Sequence, residues 1–219
     1  MSYDRSMPEP TVVLAGGGPF TASDDLDRRL LVGRSGRVAV VPTADAFENP
    51  RLLVDDATAW AQRIGIEAVP VMALTRPDAR REDLVALVQS CDAVWLVGDS
   101  PIHLRTVMKD TPLWGAITSV LDRDGLVVAV AGSAAAICDP MTDPRGGAFT
   151  FGLGLTGGMA AITETETWAP EQLMRARHLA GDSVTVELPT GAALIRTGHE
   201  GAVSWETVGD AVVHGTLPG

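Results

Sequence analysis

Cysteine, histidine and basic side chains are scarce in this sequence, and each scarcity removes a class of function. Two cysteines in 219 residues, Cys91 and Cys138, cannot make a disulfide framework and read as small buried hydrophobes. Four scattered histidines with no paired Cys or His spacing do not suit a zinc site, and no metal or other cofactor is expected. Lys and Arg number 17 against 28 Asp and Glu, a net charge of −11. A nucleic acid or an anionic membrane would call for a basic patch, so neither is expected as a partner. No run reaches the roughly 18 apolar residues of a membrane span, and no N-terminal apolar segment makes a signal peptide. A cytoplasmic location is therefore expected.

What is present is a hydrophobic fraction of 46%, without low-complexity tracts or internal repeats. That suits one large domain over residues 11–219, after a loose polar leader, Met1 to Pro10. Thr11 to Ala15 reads as a buried strand running into Gly16-Gly17-Gly18-Pro19. The dinucleotide fingerprint needs Gly-x-Gly-x-x-Gly and a later acidic residue, and the spacing here does not match. Further strands are expected at Arg37–Pro42, Ile66–Leu74, Asp92–Val97 and Leu126–Val130. Between them lie helices, three of them opened by Pro50, Pro101 and Pro112 at the first position. Leu53, Ala57, Trp60 and Ile64 form one apolar stripe of the first of these. From about Phe149 the pattern changes to short alternating runs, which read as late strands, some paired antiparallel at a sheet edge.

Strand–helix alternation over about 140 residues implies a doubly wound α/β fold with a mostly parallel sheet and antiparallel additions near the C-terminus. Ligands of such sheets bind beyond the carboxyl ends of the strands. Gly16–Phe20, Thr43–Ala46, Gly98–Ser100 and Gly132–Ala134 are expected to meet there. The last of these follows the apolar run Leu126–Val130 and precedes the helix-favouring Ala134-Ala135-Ala136-Ile137. A buried strand, a tight turn carrying a serine, and a helix make the pattern of a nucleophile elbow. The alternative is an ordinary strand-to-helix turn whose serine caps the helix.

With these pieces in order, the chain resembles the dipeptidase E and cyanophycinase family of serine peptidases, of the class I glutamine amidotransferase-like fold (flavodoxin-like in its sheet). The resemblance rests on "VVLAGGGPF", on "WLVGDSPIHLRTVMKDTPLWGAI", on "AGSAAA" and on "FGLGLTGG". It implies a serine hydrolase acting on a small peptide or amide, with Ser133 as nucleophile and the N–H groups of Gly98 and Ala134 as oxyanion hole. Gly17, Gly18, Asp99 and Arg145 are candidates for substrate binding. A homodimer is compatible with the resemblance.

The sequence departs from the family pattern at the base. The family's histidine position falls near Glu164, and no histidine lies between His103 and His178. A serine hydroxyl needs such a base to become nucleophilic. Glu164, Glu166, His178 and His103 remain as alternatives, and Asp139 or Asp143 as a group orienting one. The glycines expected beside the serine are Ala131 and Ala135. A catalytically degenerate protein that binds a small molecule, peptide or protein partner without hydrolysis is the second reading. Cys138 is not expected to serve as an amidotransferase nucleophile, because it is read as lying inside the helix rather than at the elbow.

Overall fold

The computed structural model describes residues 8–145, 147–199 and 201–219. Most of the expected leader, residues 1–7, lies outside these. The first half follows the alternation read from the sequence: β1 (Thr11–Ala15), α1 (Asp24–Leu30), β2 (Arg37–Val41), α2 (Pro50–Ile64), β3 (Glu67–Pro70), α3 (Glu82–Gln89), β4 (Ala93–Leu96), α4 (Pro101–Met108), α5 (Pro112–Thr118), β5 (Leu126–Val130) and α6 (Gly132–Ile137). The starts have local causes. Asn49 Oδ1 accepts from the Leu52 N–H and Thr111 Oγ1 from that of Trp114, each ahead of a first-turn proline. Gly65, at φ 82°, ends α2 in the left-handed region where glycine is unstrained.

The third strand is shorter than expected, ending at Pro70 rather than Leu74. It is an edge strand paired only with β2, which itself ends at Val41, so the ladder closes with the Val71 N–H donating to Val40 O at 2.8 Å.

The C-terminal part adds β6 (Cys138–Asp139), β7 (Met141–Asp143), β8 (Ala148–Thr150), β9 (Thr156–Gly157), β10 (Met159–Thr163), α7 (Pro170–Ala180), β11 (Val184–Leu188), β12 (Ala193–Thr197), β13 (Ser204–Val208) and β14 (Val212–His214). The main sheet has the order β13-β12-β1-β5-β4-β2-β3. Strands β1 to β5 run parallel, and β12 and β13 extend the sheet antiparallel, as expected. The sequence pattern did not foresee that β11 and β14 leave that edge for a second sheet, β14-β11-β10-β6-β9. There β11 pairs in parallel with β10, a pairing that alternating short runs do not announce.

Side chains of the central strands point alternately to two cores. Val12, Leu14, Val94, Leu96, Val127 and Ala129 join the core beneath α3, α4, α5 and α6. Val13, Ala93, Trp95, Leu126, Val128 and Val130 join the other, beneath α1 and α2. Trp60 of the predicted α2 stripe fills this second core, with ring centroids 5.1 Å from Phe20 and 5.3 Å from Trp95.

Trp60 also donates its Nε1–H to Asp27 Oδ2 at 2.9 Å, which explains a carboxylate only 6% exposed. Burial raises the Asp27 pKa to about 6, against the partial relief of the Trp60 bond. Below an unfolded-state pKa of about 3.9 the group is protonated in both states and costs nothing. As pH rises through about 6 the folded protein must ionise it in a desolvated place, so stability falls. Asp27→Asn keeps an acceptor for Trp60 and removes the charge. It is expected to stabilise the protein at pH 7 by roughly 1–3 kcal/mol and to flatten the decline between pH 4 and 7. Urea unfolding at both pH values checks this, and a destabilised Asn variant at pH 7 would show that the charge is needed.

The second sheet has a buried acid of the opposite kind. Glu187 of β11 receives two bonds from Arg177 of α7 and one from His214 Nε2 at 3.1 Å. Burial works to raise its pKa, but Arg177 and then His214 outweigh it, and the carboxyl sits below its ordinary value. His214 is thereby structural, and His199 is exposed beside Asp124. No helix among the described residues is long and apolar enough to cross a membrane.

Candidate functional site

The carboxyl ends of the parallel strands meet as the sequence suggests, and their glycines allow main chain to approach main chain. The Ser100 N–H donates to Ala44 O at 3.0 Å, joining the loops after β4 and β2. A Cβ on Gly132 would lie 2.5 Å from the Asp99 carbonyl carbon and oxygen, so only glycine lets α6 start against that loop. A Cβ on Gly17 would lie 2.8 Å from Glu164 Cγ, so the first glycine loop backs the Glu164 side chain.

The turn itself differs from expectation. Its strained residue is Ala131, at φ 56° and ψ −129°, not Ser133. A side-chain-bearing residue at such angles is costly and is the mark of a sharp strand-to-helix elbow. Ser133 lies inside α6 and is 0% exposed. Its N–H and its Oγ both point to Gly98 O, at 3.0 and 3.3 Å. The turn therefore does not lift this hydroxyl out of the sheet; it pins the start of α6 to the loop after β4. Gly98 meets Ser133 through its carbonyl rather than its N–H. The Ala134 N–H, expected in an oxyanion hole, donates to Ala131 O at 3.0 Å. The Gly132 N–H, next to the elbow residue, opens the helix and has no partner within it.

Beside the elbow lies a cavity of about 150 Å³ lined by Asp99, Gly132, Thr142, Glu164 and Trp168, among others. Two sequence-predicted residues, Asp99 and Glu164, thus come together with the elbow. Glu164 is half-buried with a left-handed backbone, φ 51°. Burial raises its pKa, followed by the charges of Asp99 and Glu166. Asp99 is exposed as a residue, yet partial burial of its carboxylate raises its pKa too, with Glu48 and Asp45 adding to the effect.

The remaining candidates stand apart. Gly17 and Gly18 do not line the cavity, although Gly17 backs Glu164; they border a smaller void on the Asp27 side of the sheet. His178 is exposed in the last turn of α7 and does not line the cavity. His103 Nε2 lies 2.9 Å from Leu74 O, and its ring meets Phe47 edge-on at 4.5 Å. Arg145 is exposed and paired with Asp143 at 2.9 Å, and that bond pulls the Asp143 carboxyl below its ordinary value. His103, Arg145 and Asp99 border a second, adjoining space of about 360 Å³. Glu166 accepts from the Thr190 N–H, and Asp139 from that of Gly152.

Two residues of the site have no functional reading in the sequence, where Ala131 only stands in place of an expected glycine. Thr142 and Ala131 become significant only through burial and backbone angle. Trp168, just ahead of α7, donates its indole N–H to Thr163 O at 3.1 Å and also walls the cavity. Among the described residues no three His, Cys, Asp or Glu side chains gather as metal ligands do.

A doubly wound α/β sheet with its cavity beyond the strand ends defines a class, and solved structures narrow it. A peptidase from an acI-B1 Actinobacterium superposes with a TM-score of 0.79 at 22% identity, over 94% of this chain and 90% of that one. A protein of Listeria monocytogenes EGD-e described as a putative peptidase E gives 0.66 at 11% identity, over 91% and 98%. The chain has the fold of these peptidases. No protein-family model matches it, and no curated protein is similar to it in sequence.

Proposed function

We propose that this chain is a degenerate relative of the peptidase E type, binding a small ligand such as a peptide or amide at Asp99 and Glu164 without serine-based hydrolysis. The elbow carries this reading. The residue with the strained elbow backbone is an alanine, whose methyl cannot attack a carbonyl. The serine two positions on is fully buried and its hydroxyl is occupied by Gly98 O. A hydroxyl without an adjacent base is a poor nucleophile, and both candidate histidines are engaged or exposed elsewhere. The carboxyl at the family's histidine position, Glu164, is retained in the cavity as an acceptor and a negative charge.

Hydrolysis through Ser133 is the second reading, supported by the names of the two similar structures. Intact-mass analysis after fluorophosphonate treatment separates them. The expected result is no adduct on the native protein, with Ser133→Ala indistinguishable from it. An adduct that disappears in Ser133→Ala would establish an activated serine and end the non-hydrolytic reading.

A further inference from the structure

The cavity beside the elbow holds negative charge that the fold does not neutralise. Asp99 and Glu164 line it together, and the carboxyl of each is pushed towards its protonated form. Among the described residues no Lys, Arg or His nitrogen lies within 4.0 Å of either carboxylate, whereas Asp143, a few residues from the same wall, has Arg145.

An independent observation on that wall points to a missing partner. Thr142 is 1% exposed and lines the cavity, and among the described residues its Oγ1 has no hydrogen-bond partner. A buried hydroxyl left unbonded is costly, and such groups in folded proteins nearly always find a partner.

We propose that the cavity binds the primary ammonium group of a small organic amine, held by Asp99, Glu164 and Thr142; this rests on the non-hydrolytic binding reading above. A primary ammonium carries three N–H donors and no acceptor. The cavity offers three acceptors, two of them charged, which is the complementary set. Charge-assisted bonds of this kind are the stronger ones, and they gain further where water is displaced. A hard divalent cation asks for six or more oxygen ligands, which these three side chains do not supply. A quaternary ammonium has no N–H to give Thr142.

Size limits the ligand further. About 150 Å³ is the volume of roughly five waters, enough for the ammonium and a few carbons. The rest of the molecule would pass into the adjoining space of about 360 Å³, which shares Asp99, Pro101 and Pro144 with the cavity. Phe47, 82% exposed, and Ile102 line that space and suit an apolar tail.

The test is an NMR titration of the full chain at pH 7, followed through backbone amides and the Trp168 indole N–H. The probes are n-butylamine, n-butanol as its uncharged counterpart, and glycinamide as an α-amino amide. Saturable shifts at Gly132, Thr142 and Trp168 are expected with butylamine and not with butanol. Glu164→Gln is expected to weaken butylamine binding by about tenfold or more, and the isosteric Thr142→Val by about threefold. Asp99→Asn, at a residue in contact with solvent, gives a second charge deletion if Glu164→Gln does not fold. Glycinamide binding more tightly than butylamine would identify an α-amino source, and the reverse order an alkylamine; either supports the ammonium site. Equal binding of butylamine and butanol, or butylamine affinity unchanged in both charge deletions, overturns it. If butylamine fails while N-methylacetamide or acetate shifts the same resonances, the ammonium assignment falls and the binding reading stands. If no probe shifts them, both fall.

Discussion

Gly98→Ala is expected to cost about 4 kcal/mol or more, lowering Tm by roughly 8–16 °C in a chain of this size. Two causes add. Gly98 sits at φ 114°, where an L side chain is strained, and the new Cβ would meet the Asp45 nitrogen at 2.5 Å and the Ala44 carbonyl carbon at 2.7 Å. These are main-chain atoms of the loop after β2, which cannot turn aside as a flexible side-chain end does. Moving that loop also disturbs the Ser133 bonds to Gly98 O and with them the start of α6. Gly115→Ala is the control. Gly115 lies exposed inside α5 with nothing within 4 Å of where a methyl would be added, so alanine there is expected to stabilise by up to about 1 kcal/mol through helix propensity. Differential scanning calorimetry of both variants checks the contrast. A Gly98→Ala protein melting within a degree or two of the parent would mean that the loops do not meet as closely as described.

Changing Ala131 is expected to move stability in both directions. Valine at φ 56° and ψ −129° adds a β-branched side chain to a conformation already strained for alanine, in a place only 1% exposed. A loss of about 3 kcal/mol or more is expected, roughly 6–12 °C in Tm. Glycine releases the strain, worth of order 1–3 kcal/mol, against an unfolded-state entropy cost of about 0.5–1 kcal/mol and the loss of one packed methyl. Ala131→Gly is therefore expected to be neutral or stabilising by about 1 kcal/mol, which is uncommon for a glycine introduced into a buried site. Chemical denaturation of the pair reads the difference. Were glycine as damaging as valine, the turn would carry no strain at Ala131, and that residue would not be the elbow.

The two results bear on one question, how the strand-to-helix turn spends its only glycine. The sequence Ala131-Gly132-Ser133 offers three small residues, and local rules assign a positive φ to glycine first. In the folded chain Gly132 is consumed by space instead, because the Asp99 main chain comes within 2.5 Å of where its Cβ would be. The strain then falls on Ala131. That allocation decides whether a hydroxyl or a methyl occupies the elbow, and it is set by the Asp99 main chain, which is distant in sequence. The same holds for Thr142, an ordinary polar residue in the sequence that is 1% exposed in the fold, with a hydroxyl that finds no partner among the described residues.

Much was legible in the sequence alone, for reasons that are local. Apolar runs such as Leu126–Val130 specify strands buried on both faces, and the stripe through Ala57 and Trp60 specifies the face of α2 that a sheet must cover. Prolines at positions 50, 101 and 112 place three helix starts, because their fixed φ and missing N–H suit only the first turn. From that alternation follow the parallel sheet and the meeting of its loops, Asp99 among them, at one end; Glu164 follows β10 of the second sheet and is placed only by the family resemblance. Tertiary structure alone decided the pairing of β10 with β11 in a second sheet, the residue that takes the strained backbone, and the burial of Ser133. Each of these depends on atoms distant in sequence competing for the same space, and the order of residues along the chain carries no direct record of that competition.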